Sequence, residues 1–201
     1  APLHRFMGNV LWRQNWQTYD AVSVAAAPLK DLAMNYAYVT QVNRIFGSDA
    51  PDPFDEFDCD CHLINLHYSA LAHVRLEAFA YLLDIDNAPA FALDTYGVRA
   101  TGTYPLSARW KLVYAGEYAI QDEAGGNPLP VDAEYYLGEL GINVTLPFRA
   151  VPAVTVKGDY EVLGGNGVSA FQTPLATGHA FQGWADRFLV TPPDGIRDWY
   201  V

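Results

Sequence analysis

The chain has 201 residues, 51% of them hydrophobic, 17% charged and 14% aromatic, and that much apolar surface excludes intrinsic disorder. Twelve Lys and Arg stand against 23 Asp and Glu, a formal charge of −11; no nucleic acid is expected as a partner, because binding that polyanion takes clustered cations. No run approaches the ~20 consecutive apolar residues of a membrane-crossing helix, so a membrane protein of this composition crosses with strands.

The opening Ala1-Pro2-Leu3-His4 lacks the basic, apolar and small-residue pattern of a signal peptide, and the chain is expected to be an internal piece of a longer protein. Along its length the dominant signal has period two. Ile64, Leu66 and Tyr68 alternate with Asn65, His67 and Ser69, and Val74, Leu76, Ala78, Ala80 and Leu82 with Arg75 and Glu77. Tyr96 to Tyr104 alternates with Thr95, Arg99, Thr101 and Thr103; Trp110 to Ile120 with Arg109, Lys111 and Glu117. Tyr136 to Val144 and Val154 to Val162 repeat the pattern, the last against Lys157, Asp159 and Glu161, and Asp198-Trp199-Tyr200-Val201 begins one more strand. A helix repeats its faces every 3.6 residues and cannot hold such an alternation.

Connections alternate as well. Short ones fall near 27–31, 70–73, 104–108 and 146–152, long ones at 47–61, 85–93, 122–131 and 164–196. In an up-and-down antiparallel sheet this places all turns at one end and all loops at the other, the layout of an outer-membrane barrel. One face of each strand is apolar or glycine with Tyr and Trp near the ends, suited to lipid and an interfacial aromatic girdle. The other is mixed and charged, suited to an enclosed lumen. The expected fold is therefore all-β: a partial antiparallel up-and-down transmembrane β-barrel of about nine or ten strands, one domain over 1–201, truncated at both ends. The expected pore lining is Arg75, Glu77, Arg99, Arg109, Lys111, Lys157 and Asp159. Across the short turns the spacing pairs Thr103 with Arg109, Thr101 with Lys111, His67 with Glu77 and Ser69 with Arg75. The alternative is a soluble, lipocalin-like barrel with the even-numbered residues inside around a hydrophobic ligand.

Asp58-Cys59-Asp60-Cys61-His62 has the wrong spacing for a Cys-x-x-Cys zinc knuckle; a disulfide or loop staple is expected there, and no metal or cofactor. No Gly-x-Ser-x-Gly elbow or His-Glu-x-x-His helix occurs, so no catalytic residues are assigned and an enzyme is not expected. Leu175, Phe181, Trp184, Phe188 and Leu189 have helix-compatible spacing, predicting that 174–189, within the 164–196 loop, folds as a short helix or compact loop over or into the pore.

Three segments carry a family resemblance: Trp12-Arg13-Gln14-Asn15-Trp16 running to Val22, Asn35-Tyr36-Ala37-Tyr38-Val39 leading to Val42-Asn43-Arg44-Ile45-Phe46-Gly47, and Phe171-Gln172-Thr173-Pro174-Leu175 running to Leu189. With the strand layout, these resemble the alginate-export family of bacterial outer-membrane barrels. The resemblance implies a larger porin-like channel in the outer membrane of a Gram-negative bacterium, among lipid and lipopolysaccharide. Its basic pore would pass anionic or polar solutes passively, alginate or a related oligosaccharide or polysaccharide among them. Glu77, Asp159 and Glu161 depart from a purely positive lining.

Overall fold

The computed structural model describes residues 4–147, 151–178 and 187–201. Nine strands follow one another: β1 (Thr18–Leu29), β2 (Leu32–Asn43), β3 (Glu56–Tyr68), β4 (Val74–Ile85), β5 (Leu93–Pro105), β6 (Trp110–Glu123), β7 (Asp132–Thr145), β8 (Ala153–Leu163) and β9 (Ile196–Tyr200). Each pairs antiparallel with the next, in the order β1 to β9. The all-β up-and-down architecture expected from the alternation is the one observed, and short connections gather at one end of the sheet.

Three expectations need correction. The connection expected over 47–61 ends at residue 55, because Glu56–Cys61 belongs to β3. Cys59 and Cys61, two residues apart on that strand, share one face as buried free thiols rather than a disulfide or loop staple. The turn expected at 104–108 lies at 106–109, where the Leu106 and Ser107 amides both donate to the Trp110 carbonyl (2.9 and 3.1 Å). Pro105, with no N–H to offer, is the last residue of β5 and faces Lys111, while Thr103 faces Val113 and Thr101 faces Ala115. The pairing of His67 with Glu77 is as expected.

The two faces differ as the alternation demands. Even-numbered residues from β3 to β8 point outward, and the outer face is apolar: Val22, Val24, Val98, Leu140 and Val156 each leave more than half their surface open. Outward aromatics include Tyr68, Tyr104 and Trp110 toward the turns and Tyr96, Tyr118 and Tyr136 toward the loops, with Tyr114, Tyr160 and Trp199 between them. From Trp110 to Tyr118 the strand runs roughly 26 Å, which at the ~40° tilt of a membrane barrel spans roughly 20 Å of its ~25 Å apolar band. Beyond the loop-side aromatics come outward carboxylates in direct register, Asp60 with Asp84 and Asp94 with Asp122 and then Asp132. Like charges in adjacent rungs repel, an arrangement suited to water rather than acyl chains. A lipocalin-like barrel needs these faces exchanged, and the geometry excludes it.

The inner face is divided. Toward the loops it carries large apolar side chains, among them Val39, Leu63, Phe79, Tyr81, Leu83 and Tyr135, all buried. Residues 4–17 and 164–178 cover them as a plug. Phe6 is its hub, with ring centroids 5.1 Å from Phe79, 5.4 Å from Tyr135 and 5.9 Å from Phe171. The two plug segments bind each other through Gly8 N–H to the Leu175 carbonyl and Thr177 N–H to the His4 carbonyl, both 2.8 Å. The Gln17 amide donates to the Gly8 and Leu175 carbonyls (2.9 and 3.0 Å). Gln121, buried on β6, exchanges two hydrogen bonds with the Gln172 backbone (2.7 and 2.9 Å), which clamps the plug to the wall. Toward the turns the inner face is uncovered, polar and charged.

Candidate functional site

Directly below the plug, polarity changes within one rung. The row Phe79, Gly97, Ala119, Tyr135 and Leu163 runs in register across β4 to β8. The next inward row is His67, Glu77, Arg99, Glu117, Leu137 and Glu161. Arg75, Thr101, Ala115, Glu139 and Asp159 follow, and then Thr103, Val113, Gly141 and Lys157. A ladder of charge therefore occupies the turn-side half of the inner wall.

Most of these charges are paired. Arg99 Nη1 lies 2.6 Å from Glu117 Oε2, Lys157 Nζ 2.9 Å from Glu139 Oε1, and His67 Nδ1 3.2 Å from Glu77 Oε1. Glu161, buried at the foot of the plug, binds Arg5 and accepts from the hydroxyls of Tyr135 (2.6 Å) and Tyr200 (3.1 Å). Arg5 is itself only 4% exposed. Removing one partner of the buried Arg5–Glu161 pair leaves an uncompensated charge, at a cost of about 3–5 kcal/mol; the pair sits where the apolar plug meets the charged rows.

Two open cavities lie beneath. One, of about 540 Å³, is lined by Arg75, Arg99, Thr101, Thr103, Glu139 and Lys157 among others. The second, of about 550 Å³, is lined by Ala27, Ala33, Asn35, His67, Arg75 and Glu77 among others. Arg75 and Ser69 belong to both. The structure thus brings Arg75, Glu77, Arg99 and Lys157 together around one vestibule, with Asp159 beside Glu139 on its wall. It does not bring in Arg109, which sits in the turn after β5, or Lys111, opposite Pro105 at the rim. Among the described residues Arg75 makes no ion pair, unlike Arg99 and Lys157.

Glu117 and Glu139 are functional candidates that the sequence reading passed over, although both stand on the odd-numbered face of strands already recognised. Arg5 had no such signal, since it precedes the first strand. At the loop end, Arg44 donates from Nη1 to the Pro53 carbonyl (2.8 Å), with Cζ 4.2 Å from the Phe57 ring centroid. Burial among these groups pulls its pKa below the usual guanidinium value. No cluster of three or more metal-ligating side chains occurs among the described residues. Residues 174–178 and 187–189 contain no helix; the rest of the expected helix, with Phe181 and Trp184, lies outside the described residues, as does His179.

Chemically, the site offers charge and space: fixed cations and carboxylates beside water-sized and solute-sized room, at the inner face of a wall whose other side is apolar.

No family model and no curated protein matches the sequence. Solved structures do match the fold. The outer membrane protein OpdK of Pseudomonas aeruginosa superposes with a TM-score of 0.65 at 14% identity, over 92% of this chain and 47% of that one. OpdL of Pseudomonas aeruginosa gives 0.62 at 15% identity, over 93% and 49%, and OccAB4 of Acinetobacter baumannii 0.60 at 15%, over 78% and 38%. The chain spans less than half the length of these proteins. They are outer-membrane porins of the Occ/Opd family, so the nine-stranded sheet has the fold of part of an outer-membrane porin barrel. The similarity does not extend to the alginate-export family specifically.

Proposed function

We propose that this chain forms part of the wall of an outer-membrane porin of a Gram-negative bacterium, a passive channel for small polar solutes, anions among them. The observation that carries the reading is the split of the sheet: an apolar outer band with aromatics toward both the turns and the loops, and behind it a charged row opening on cavities of about 540 and 550 Å³. Edges β1 and β9 are unpaired among the described residues. In lipid, closure into a barrel satisfies such edges, and the matching porins are about twice as long. Outer-membrane lipid and lipopolysaccharide would surround the band.

Arg75, Arg99 and Lys157 would attract anionic groups, with Glu77 and Asp159 holding the attraction weak enough for release. One of the matching crystal structures is OpdK with vanillate, and a single-ring carboxylate of that kind fits the size and charge of this vestibule. Alginate, the finer expectation, demands an unobstructed lumen for an extended polymer, whereas the plug favours small solutes. Purified full-length protein in planar bilayers tests the reading. Ohmic channels that pass small organic anions and are not blocked by alginate oligomers are expected. A protein that gives no conductance would refute the channel, and saturable block by the oligomers would restore the polysaccharide.

A further inference from the structure

The plug does not cover the whole inner wall. Its aromatic ring contacts through Phe6 lie on β4 and beyond, at Phe79, Tyr81 and Tyr135, while toward the loops it also meets Tyr19 on β1, whose hydroxyl donates to the Gly8 carbonyl (2.8 Å). Toward β1 the inward side chains shrink along each rung. Tyr81 is followed by Leu63, Ala37 and Ser23, and Phe79 by Asn65, Asn35 and Ala25. At these two rungs nothing large on β1 or β2 faces the plug, and below Tyr19 a cavity of about 320 Å³ remains between them, lined by Met7, Tyr19, Ser23, Ala25, Asn35 and Ala37 among others.

This cavity shares Asn35 with the second vestibule cavity, which in turn shares Ser69 and Arg75 with the first. The three therefore adjoin one another along the wall, from the flank of the plug to the short turns. Polar groups face the run where it passes the plug. Asn35 and Asn65 are register partners; the Asn65 oxygen accepts from the Tyr81 hydroxyl at 2.8 Å, and the exposed Asn35 amide makes no side-chain hydrogen bond among the described residues. Small side chains make room, and carboxamides exchange hydrogen bonds with a passing solute and its water at little cost.

We propose that solute crosses the level of the plug along the β1–β3 side of the wall, past Ala25, Ala37, Asn35 and Asn65, and enters the charged vestibule at Arg75. The proposal rests on the channel reading and adds the route and the residues that set its width and selectivity. Arg75 is the gatekeeper because it lines both vestibule cavities and makes no ion pair among the described residues, whereas Arg99 and Lys157 are held by Glu117 and Glu139.

The test uses the full-length barrel in planar bilayers, with folding checked by its gel mobility before and after heating. Ala25→Trp and Ala37→Trp each fill the strip and should reduce single-channel conductance to about half or less. Val22→Trp, on the outer side of β1 and outside the cavity lining, should leave it unchanged. Ala37→Cys should react with a charged, membrane-impermeant thiol reagent and lose conductance on modification, while Cys59 and Cys61, buried, stay unmodified. A wild-type protein without conductance would overturn the channel reading together with the route. A conducting wild type, unaffected by Ala25→Trp, Ala37→Trp and modification at 37, would overturn the route alone and send the solute through the plug.

Discussion

Replacing Phe6 with alanine removes the centre of the plug without touching a strand. The side chain is 5% exposed and packs on four rings, those of Phe79, Tyr81, Tyr135 and Phe171. A buried aromatic of about 150–250 Å² at ~25 cal/mol/Å² gives an upper bound of roughly 4–6 kcal/mol, and measured Phe→Ala costs of about 3–5 kcal/mol agree. The strands keep their own ladders, so this loss falls on docking of residues 4–17. At 1.4 kcal/mol per tenfold, the undocked fraction rises by about a hundredfold or more. Arg5, buried against Glu161, reports on it: trypsin cuts after Arg5 only when the segment leaves. When opening is fast relative to cleavage, the rate follows the open population, so Phe6→Ala should be cut about a hundredfold faster, with larger and noisier channels in bilayers. Equal cleavage rates in a variant whose barrel remains folded would refute the claim that aromatic packing holds the plug.

Arg75→Gln should shift selectivity toward cations. A unit charge ~7 Å from the path in water contributes ~0.6 kcal/mol for each ion sign, so the anion-to-cation permeability ratio should fall about sevenfold at low salt, read as a reversal potential, and less at high salt. Gly97→Ala should destabilise the barrel by about 1–3 kcal/mol in urea unfolding, because the new methyl overlaps the Phe79 ring. Gly116→Ala and Gly138→Ala, on the outer face with nothing within 4 Å of the added carbon, should be neutral to within about 0.5 kcal/mol. Both cysteines, buried on β3, should be alkylated only after denaturation, as followed by mass spectrometry; labelling in the folded barrel would mean that the inner core is wet.

Local patterns carried the strands and their two faces, because alternation is a property of neighbours in sequence. The even-numbered apolar set from Leu66 to Tyr160 announces a band exposed to something oily, and Arg75, Glu77, Arg99 and Lys157 announce the opposite side. Register at β5–β6 was less legible, since Pro105 looks like a turn residue and ends the strand instead. The part of the plug formed by residues 4–17 was least legible of all, being held by contacts with the β8–β9 connection that no short window contains. One trace of it was available: Phe79, Tyr81, Leu83 and Ile85 make the loop-side half of the odd-numbered face of β4 as apolar as the even one, and a stretch apolar on both faces is covered on both.

Those long-range contacts also impose an order of assembly. Each hairpin zips from a nearby turn, but His4 meets Thr177 across a sequence separation of 173 residues, and contacts so distant close late because the intervening chain must first be confined. The wall forms from hairpins while its interior is still hollow, and residues 4–17 and the β8–β9 connection then pack inward and expel the water from its upper half.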